Sequence, residues 1–306
     1  MSSRKSIKVY LLVAAILNIV WGLVPSASKI VIDEIPVELY VALRWTISGV
    51  FFAIFLMMTG RWKRVNPKDL VMVGSLGVLG YGIASLATLY GLKIGGVTNF
   101  VLIAAFSPVI TSLVAIIFLS EKPGREFFMA LPFAVAGLVL VAVGKYQISS
   151  LSVAVTGALL IMAAYVLEAL VFVFSKRFKD RMPSSQYLAL SQITAAGFMW
   201  IMQLATLHQT GQLAQLTHRG IFAVLFVSVV ACVLCYSVLY WLLNYIDGHK
   251  LAMFEGLHAV SGAFFGYVLF NEEISSAMFL GGTLILLALV ISQFPKASPP
   301  EEPVSI

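Results

Sequence analysis

Ten runs of 18 to 24 residues, each almost free of charge, leave this chain little to fold into except a bundle of helices in a bilayer. They cover residues 9–31, 37–59, 70–92, 97–119, 127–144, 152–174, 186–207, 221–244, 250–270 and 276–294. Each has the length of a spanning helix, about 20 residues, and none shows the short polar/apolar alternation of a membrane barrel. Composition agrees: 60% of the 306 residues are hydrophobic, 11% are charged, and the mean hydropathy is +0.97. A soluble domain carries about 25% charged residues. A soluble enzyme, a disordered regulator and a disulfide-stapled secreted module are therefore excluded. The expected fold class is an all-α integral membrane protein of ten transmembrane helices, with the lipid bilayer as its solvent.

The net charge of +6 sits in short clusters between apolar runs, so no nucleic-acid partner is expected. With the N-terminus in the cytoplasm, fifteen Lys and Arg fall on the inside, among them Arg61, Lys63, Arg64, Lys68 and Arg181. Only Lys29, Lys93, Lys145 and Arg219 fall outside. The positive-inside rule then puts both termini in the cytoplasm, as expected of a multi-pass membrane protein with an even number of spans. Ser26-Ala27-Ser28 resembles a signal-peptide cleavage site, but Val9 to Val24 is long for such a core and Asn18 interrupts it. Cleavage is not expected. The Pro-rich tail 295–306 reads as disordered and cytoplasmic.

An internal repeat divides the chain. Lys29, Pro36, Tyr40, Ala42 and Leu43 recur at an offset of 147 as Lys176, Pro183, Tyr187, Ala189 and Leu190. Leu119-Ser120-Glu121 and Phe270-Asn271-Glu272 align at 151. Residues 1–147 and 148–294 are thus expected to be two five-helix halves joined near residues 145–152. An odd number of spans per half makes the second half inverted. Inverted repeats let two halves exchange conformations around a midplane site, the geometry of a transporter.

The repeat, the Asn18/Trp21-Gly22 stretch, Lys29, Pro36, Ser107-Pro108 and the glycine-rich stretches after Glu121 and Glu272 resemble the drug/metabolite transporter superfamily. The likeness is to its EamA-type ten-helix exporters and covers nearly the whole chain. Length and the segment Ala42-Leu43-Arg44-Trp45 are similar to those of aromatic amino-acid exporters. That resemblance implies export of aromatic and other neutral amino acids, with tolerance of toxic cationic compounds.

Ionisable groups within a span usually face the bundle interior, and here they are Arg44, Glu168 and Glu255. Tyr165 and Glu168 lie three residues apart on one helix face and align by the repeat with Asn18 and Trp21. Glu255 and His258 form a similar pair on the ninth span. These six residues are expected to line a central cavity and bind substrate. Arg44, in the outer third of its span, is expected to have a structural role, snorkelling or pairing with Glu38. Tyr81, Phe100, Phe106, Tyr236 and Tyr240 fall in the third, fourth and eighth spans, which line the pathway in the resembling family. Their rings suit an aromatic side chain or a planar cation, and the Asn99 amide suits an amino or carboxylate group. Gly74, Gly77, Gly80 and Gly82 form a stripe that permits close helix packing, as do Gly262 and Gly266.

Cys232 and Cys235 have redox spacing but lie in an uncharged span, where they read as small buried hydrophobes. The four histidines lack metal-ligand spacing, and no phosphate-binding loop is present. No metal, cofactor or ATPase subunit is expected, and a monomer suffices. The leading expectation is a non-enzymatic exporter of amino acids working by alternating access, without proton coupling. Coupling, were it present, would act through Glu168 or Glu255. The alternatives are efflux of hydrophobic cations or drugs and, in a different class, an intramembrane enzyme using Glu168, Glu255 and His258.

Overall fold

The computed structural model describes residues 2–119, 125–144, 151–175, 178, 181–205, 215–242 and 255–292, and no strand occurs among them. The 295–306 tail, Glu121 and the 145–150 junction lie outside the described residues. Each of the ten expected apolar runs is helical over most of its described length. Four stretches are long and apolar enough to cross a membrane: Val9–Glu34, Val37–Met58, Pro67–Gly95 and His218–Leu239. Shorter apolar helices cover Phe128–Gly137, Val155–Val171, Leu257–Phe270 and Ser276–Ala288.

Local chemistry sets the boundaries. The first run is split into α1 (Ser2–Gly22) and α2 (Val24–Glu34), because Pro25 has no N–H to give the carbonyl of Trp21. Pro36 opens α3 (Val37–Met58), and Gly60, at φ +62°, closes the turn behind it. Asn66 starts α4 (Pro67–Gly77), its side chain accepting from Lys68 N at 3.0 Å with Pro67 at the first helical position. This helix runs on through a π-helical stretch, Val78–Ile83, into α5 (Ala84–Gly95). Gly96, at φ +78°, turns the chain into α6 (Val97–Ala104), and Pro108 imposes the break before α7 (Ser107–Leu119). Then follow α8 (Arg125–Gly144), α9 (Leu151–Ser175) and α10 (Ser184–Ala205). Thr217 caps α11 (His218–Leu225), accepting from Gly220 N at 3.2 Å. A second π-helical stretch, Phe226–Cys235, leads into α12 (Tyr236–Leu242), with α13 (Glu255–Phe270) and α14 (Ser276–Ser292) closing the order.

Packing is symmetric in kind. The α1–α2 pair packs on α13 and α11, while α9, its counterpart by the sequence repeat, packs on α7 and α5. α3 pairs with α10, α8 with α14, and α6 with α13. The α3–α10 seam is held by polar groups that lipid could not satisfy: Ser48 Oγ donates to Gln192 Oε1 at 2.6 Å, and Trp200 Nε1 to Thr46 Oγ1 at 2.9 Å. Outward the molecule is apolar, with Met58, Phe222 and Phe279 each more than 70% exposed. A surface of this kind is covered by lipid tails.

Polar clasps gather at the two ends. At one end Glu34 accepts from Thr217 N (2.9 Å) and Thr217 Oγ1 (2.6 Å). Glu38 accepts from the Tyr90 hydroxyl, and Glu272 Oε1 from Val97 N at 2.9 Å. At the other, Arg181 pairs with Asp69 at 2.7 Å, and Gln186 bonds the backbone of Lys63 in both directions at 2.7 and 3.1 Å. By the repeat, Arg181 stands where the first half has Glu34. Glu34 ends α2 and grips the start of α11, while Arg181 follows α9 and grips the start of α4.

Candidate functional site

α3 carries the centre of the candidate site. Its length leaves Arg44 two turns inside the helix, half-buried, with Trp45 almost wholly buried beside it. The Arg44 guanidinium lies 4.4 Å from the centroid of the Trp45 ring, a cation–π contact, and its Nε donates to Cys232 Sγ at 3.1 Å. Trp45 Nε1 donates to Ser85 Oγ at 3.2 Å, and its ring meets Tyr81 edge-on with centroids 4.7 Å apart. Tyr236 lies within electrostatic reach of Arg44 and packs edge-on against Trp21 at 5.6 Å. Tyr40, fully buried with its hydroxyl 2.9 Å from Ser28 Oγ, is the other neighbour of the guanidinium.

Both π-helical stretches converge on this point. The first carries Tyr81 and the second Cys232, and Tyr236 follows the second directly. π-Helical turns occur frequently at functional sites, because the wider turn re-aims side chains that an α-helix would keep in register. The result is a run of contacts from Tyr81 through Trp45 to Arg44, with the Tyr236–Trp21 ring pair within electrostatic reach of the guanidinium.

The remaining expected residues fall at several places. Glu168 is exposed, and Arg44 is the charge that acts on it, though no carboxylate lies within 4.0 Å of Arg44 among the described residues. Tyr165, on the same helix, is partly buried against the main core. Asn18 is buried and donates to its own helix, Nδ2 to Ala14 O at 2.9 Å. Phe100 and Phe106 are also buried, in the same hydrophobic core that holds Tyr40, Trp45 and Cys232. His258 is partly buried on α13, where α1 crosses; a Cβ on Gly22 would lie 3.0 Å from its carbonyl oxygen. The side chains of Asn99, Tyr240 and Glu255 lie outside the described residues.

Two sequence expectations are corrected. Arg44 neither snorkels nor pairs with Glu38, because Glu38 is engaged by Tyr90 and Arg44 by Cys232 and Trp45. Cys232 is buried, but it is a hydrogen-bond acceptor rather than only a small hydrophobe. The signal for Arg44 was present in the sequence: an arginine beside a tryptophan within a span is a functional-site candidate by the cost of its burial.

The sequence profile of the EamA-like transporter family matches the chain twice, over residues 8–143 and 155–293. The chain belongs to the EamA-like transporter family. It is thus a multi-pass membrane transporter. Two curated relatives from Bacillus subtilis (strain 168) are similar to it over nearly their whole lengths. "Uncharacterized transporter YoaV" is 23% identical over 284 residues, 90% of this chain and 94% of the relative. "Uncharacterized transporter YetK" is 22% identical over 306 residues, 99% and 92% respectively. A solved crystal structure of a protein with 16% sequence identity has a TM-score of 0.63, covering 92% of this chain and 95% of its own. That likeness is one of fold. In this EamA-like transporter, then, the Arg44 group is an aromatic-walled cationic centre inside a carrier.

Proposed function

We propose that this EamA-like transporter moves neutral amino acids with bulky apolar side chains, aromatic ones foremost, out of the cell by alternating access. One observation carries the substrate: a single guanidinium stands among Trp45, Tyr81, Tyr236 and Tyr40, with the Trp21 ring next in line. Flat rings with polar edges bind an aromatic side chain, and the charge orients a polar group beside it. Glu168, facing the same charge, suits an ammonium group. The double family match and the mirrored packing of α1–α2 and α9 support two inverted five-helix halves, 1–147 and 148–294, with ten spans. In this reading the end bearing Arg61 to Lys68 and Arg181 is cytoplasmic, both termini lie there, and the membrane is the bacterial inner membrane. The transporter acts as a monomer and without proton coupling.

Counterflow in proteoliposomes containing only this protein tests the reading. Labelled phenylalanine, tyrosine, tryptophan, methionine and threonine are expected to exchange well above empty liposomes. No flux of any of them, together with no resistance to toxic aromatic analogues on expression, overturns the assignment. A hydrophobic cation is the second reading, favoured by the exposed carboxylate of Glu168 within the apolar α9; tetraphenylphosphonium in the same assay separates the two.

A further inference from the structure

From the same centre we infer that Arg44 is the anchor for the substrate's carboxylate; the inference rests on the amino-acid reading above. A cation inside a membrane protein is ordinarily matched by an anion, because removing it from water is costly unless a counter-charge returns the energy. Among the described residues no carboxylate makes an ion pair with Arg44, and Glu168 acts on it only from beyond 4.0 Å. The only hydrogen bond of Arg44 to a described residue runs from Nε to the sulfur of Cys232, a weak acceptor. One face of the guanidinium rests on Trp45, and no carboxylate oxygen lies within 4.0 Å among the described residues. The two Nη groups therefore present two parallel donors, the fork that binds a carboxylate in bidentate fashion.

The repeat makes the charge unique. Ser191 occupies the matching position of the second half, and its hydroxyl is spent on Tyr187 O at 2.6 Å within its own helix. One molecule thus offers one anchor, so one carboxylate is bound per cycle. Arg44 touches side chains from both halves, Trp45 on its own helix and Cys232 across the seam, so an occupied anchor bears on both halves at once.

The test compares three ligands on purified protein: L-phenylalanine, phenethylamine, which lacks the carboxylate, and 3-phenylpropionate, which lacks the amine. Affinity is read from ligand-induced thermal stabilisation. Arg44→Gln is expected to weaken phenylalanine and phenylpropionate at least tenfold while leaving phenethylamine within about threefold. Arg44→Lys keeps the charge without the fork, and is expected to retain phenylalanine with about a tenfold loss. If Arg44→Gln binds phenylalanine like the wild type, the anchor is wrong and the amino-acid reading stands. Equal loss of all three ligands by a folded variant makes Arg44 a structural residue and also overturns the anchor. If Arg44→Gln fails to fold, the same comparison with Arg44→Lys decides: loss confined to the carboxylates supports the anchor, and equal loss or no loss rejects it. Wild-type protein that is stabilised by none of the three overturns the anchor and the amino-acid reading together.

Discussion

Gly77→Ala yields little monodisperse protein in detergent, and what remains melts far below the wild type. A Cβ at this position would collide with the backbone carbonyl oxygen of Ser191 and lie 2.7 Å from its Cα. Backbone cannot rotate away as a side chain can, so α4 and α10 must separate. Overpacking of this kind costs about 3 kcal/mol or more. Gly197→Ala is the control, since nothing lies within 4 Å of its added methyl and alanine improves the helix by about 0.5–1 kcal/mol. Equal melting temperatures for Gly77→Ala and wild type would show that the seam is looser than the structure has it.

Removing the clasps shifts the carrier in opposite directions and by unequal amounts. Glu34→Ala deletes two hydrogen bonds that a carboxylate accepts from Thr217 at the N-cap of α11, one from its backbone N–H and one from its hydroxyl. Bonds to a charged group contribute about 1.5–3 kcal/mol each, so their loss favours opening at that end by tenfold or more. Asp69→Asn deletes an ion pair whose arginine is 58% exposed, worth about 0.2–1 kcal/mol. Labelling of single cysteines placed at the two ends reads the difference. Glu34→Ala should raise reactivity at the Thr217 end strongly, and Asp69→Asn should raise it weakly at the Arg181 end. Equal and same-sided responses would show that the clasps do not control access.

Much of this was legible because lipid is a strict solvent. Long apolar runs announce membrane helices by length alone, and the family to which the chain belongs was readable as a resemblance from the recurring Lys, Pro and Glu and the segments around them. The spacing of the glycine stripe also foretold close packing, which Gly77 makes against Ser191 and Gly80 against Val171. Side-chain direction was not legible. Asn18 reads as a cavity residue from its polarity, and periodicity does not reveal that one of its amide hydrogens goes to Ala14 O on its own helix. Phe100 and Phe106 carry no mark separating a lining ring from a packed one. Arg44 depended on a partner 188 residues away, brought near by a helix whose turns are wider than periodicity reveals.

Those wider turns give the apolar stretches Pro67–Gly95 and His218–Leu239 a reserve of slack. A π-turn holds an extra residue over the rise of an α-turn, and an α-helical residue advances 1.5 Å and turns about 100°. Drawing one residue of slack out of Val78–Ile83 would therefore swing everything beyond it by roughly a quarter-turn, with no helix leaving its neighbours. Phe226–Cys235 can do the same for the helix that follows it. The two stretches meet the same guanidinium, through Tyr81 by way of Trp45 and through Cys232 directly. The fold thus resembles a pair of opposed camshafts acting on one fixed follower, in which a small rotation replaces the hinge that a rigid rod would need.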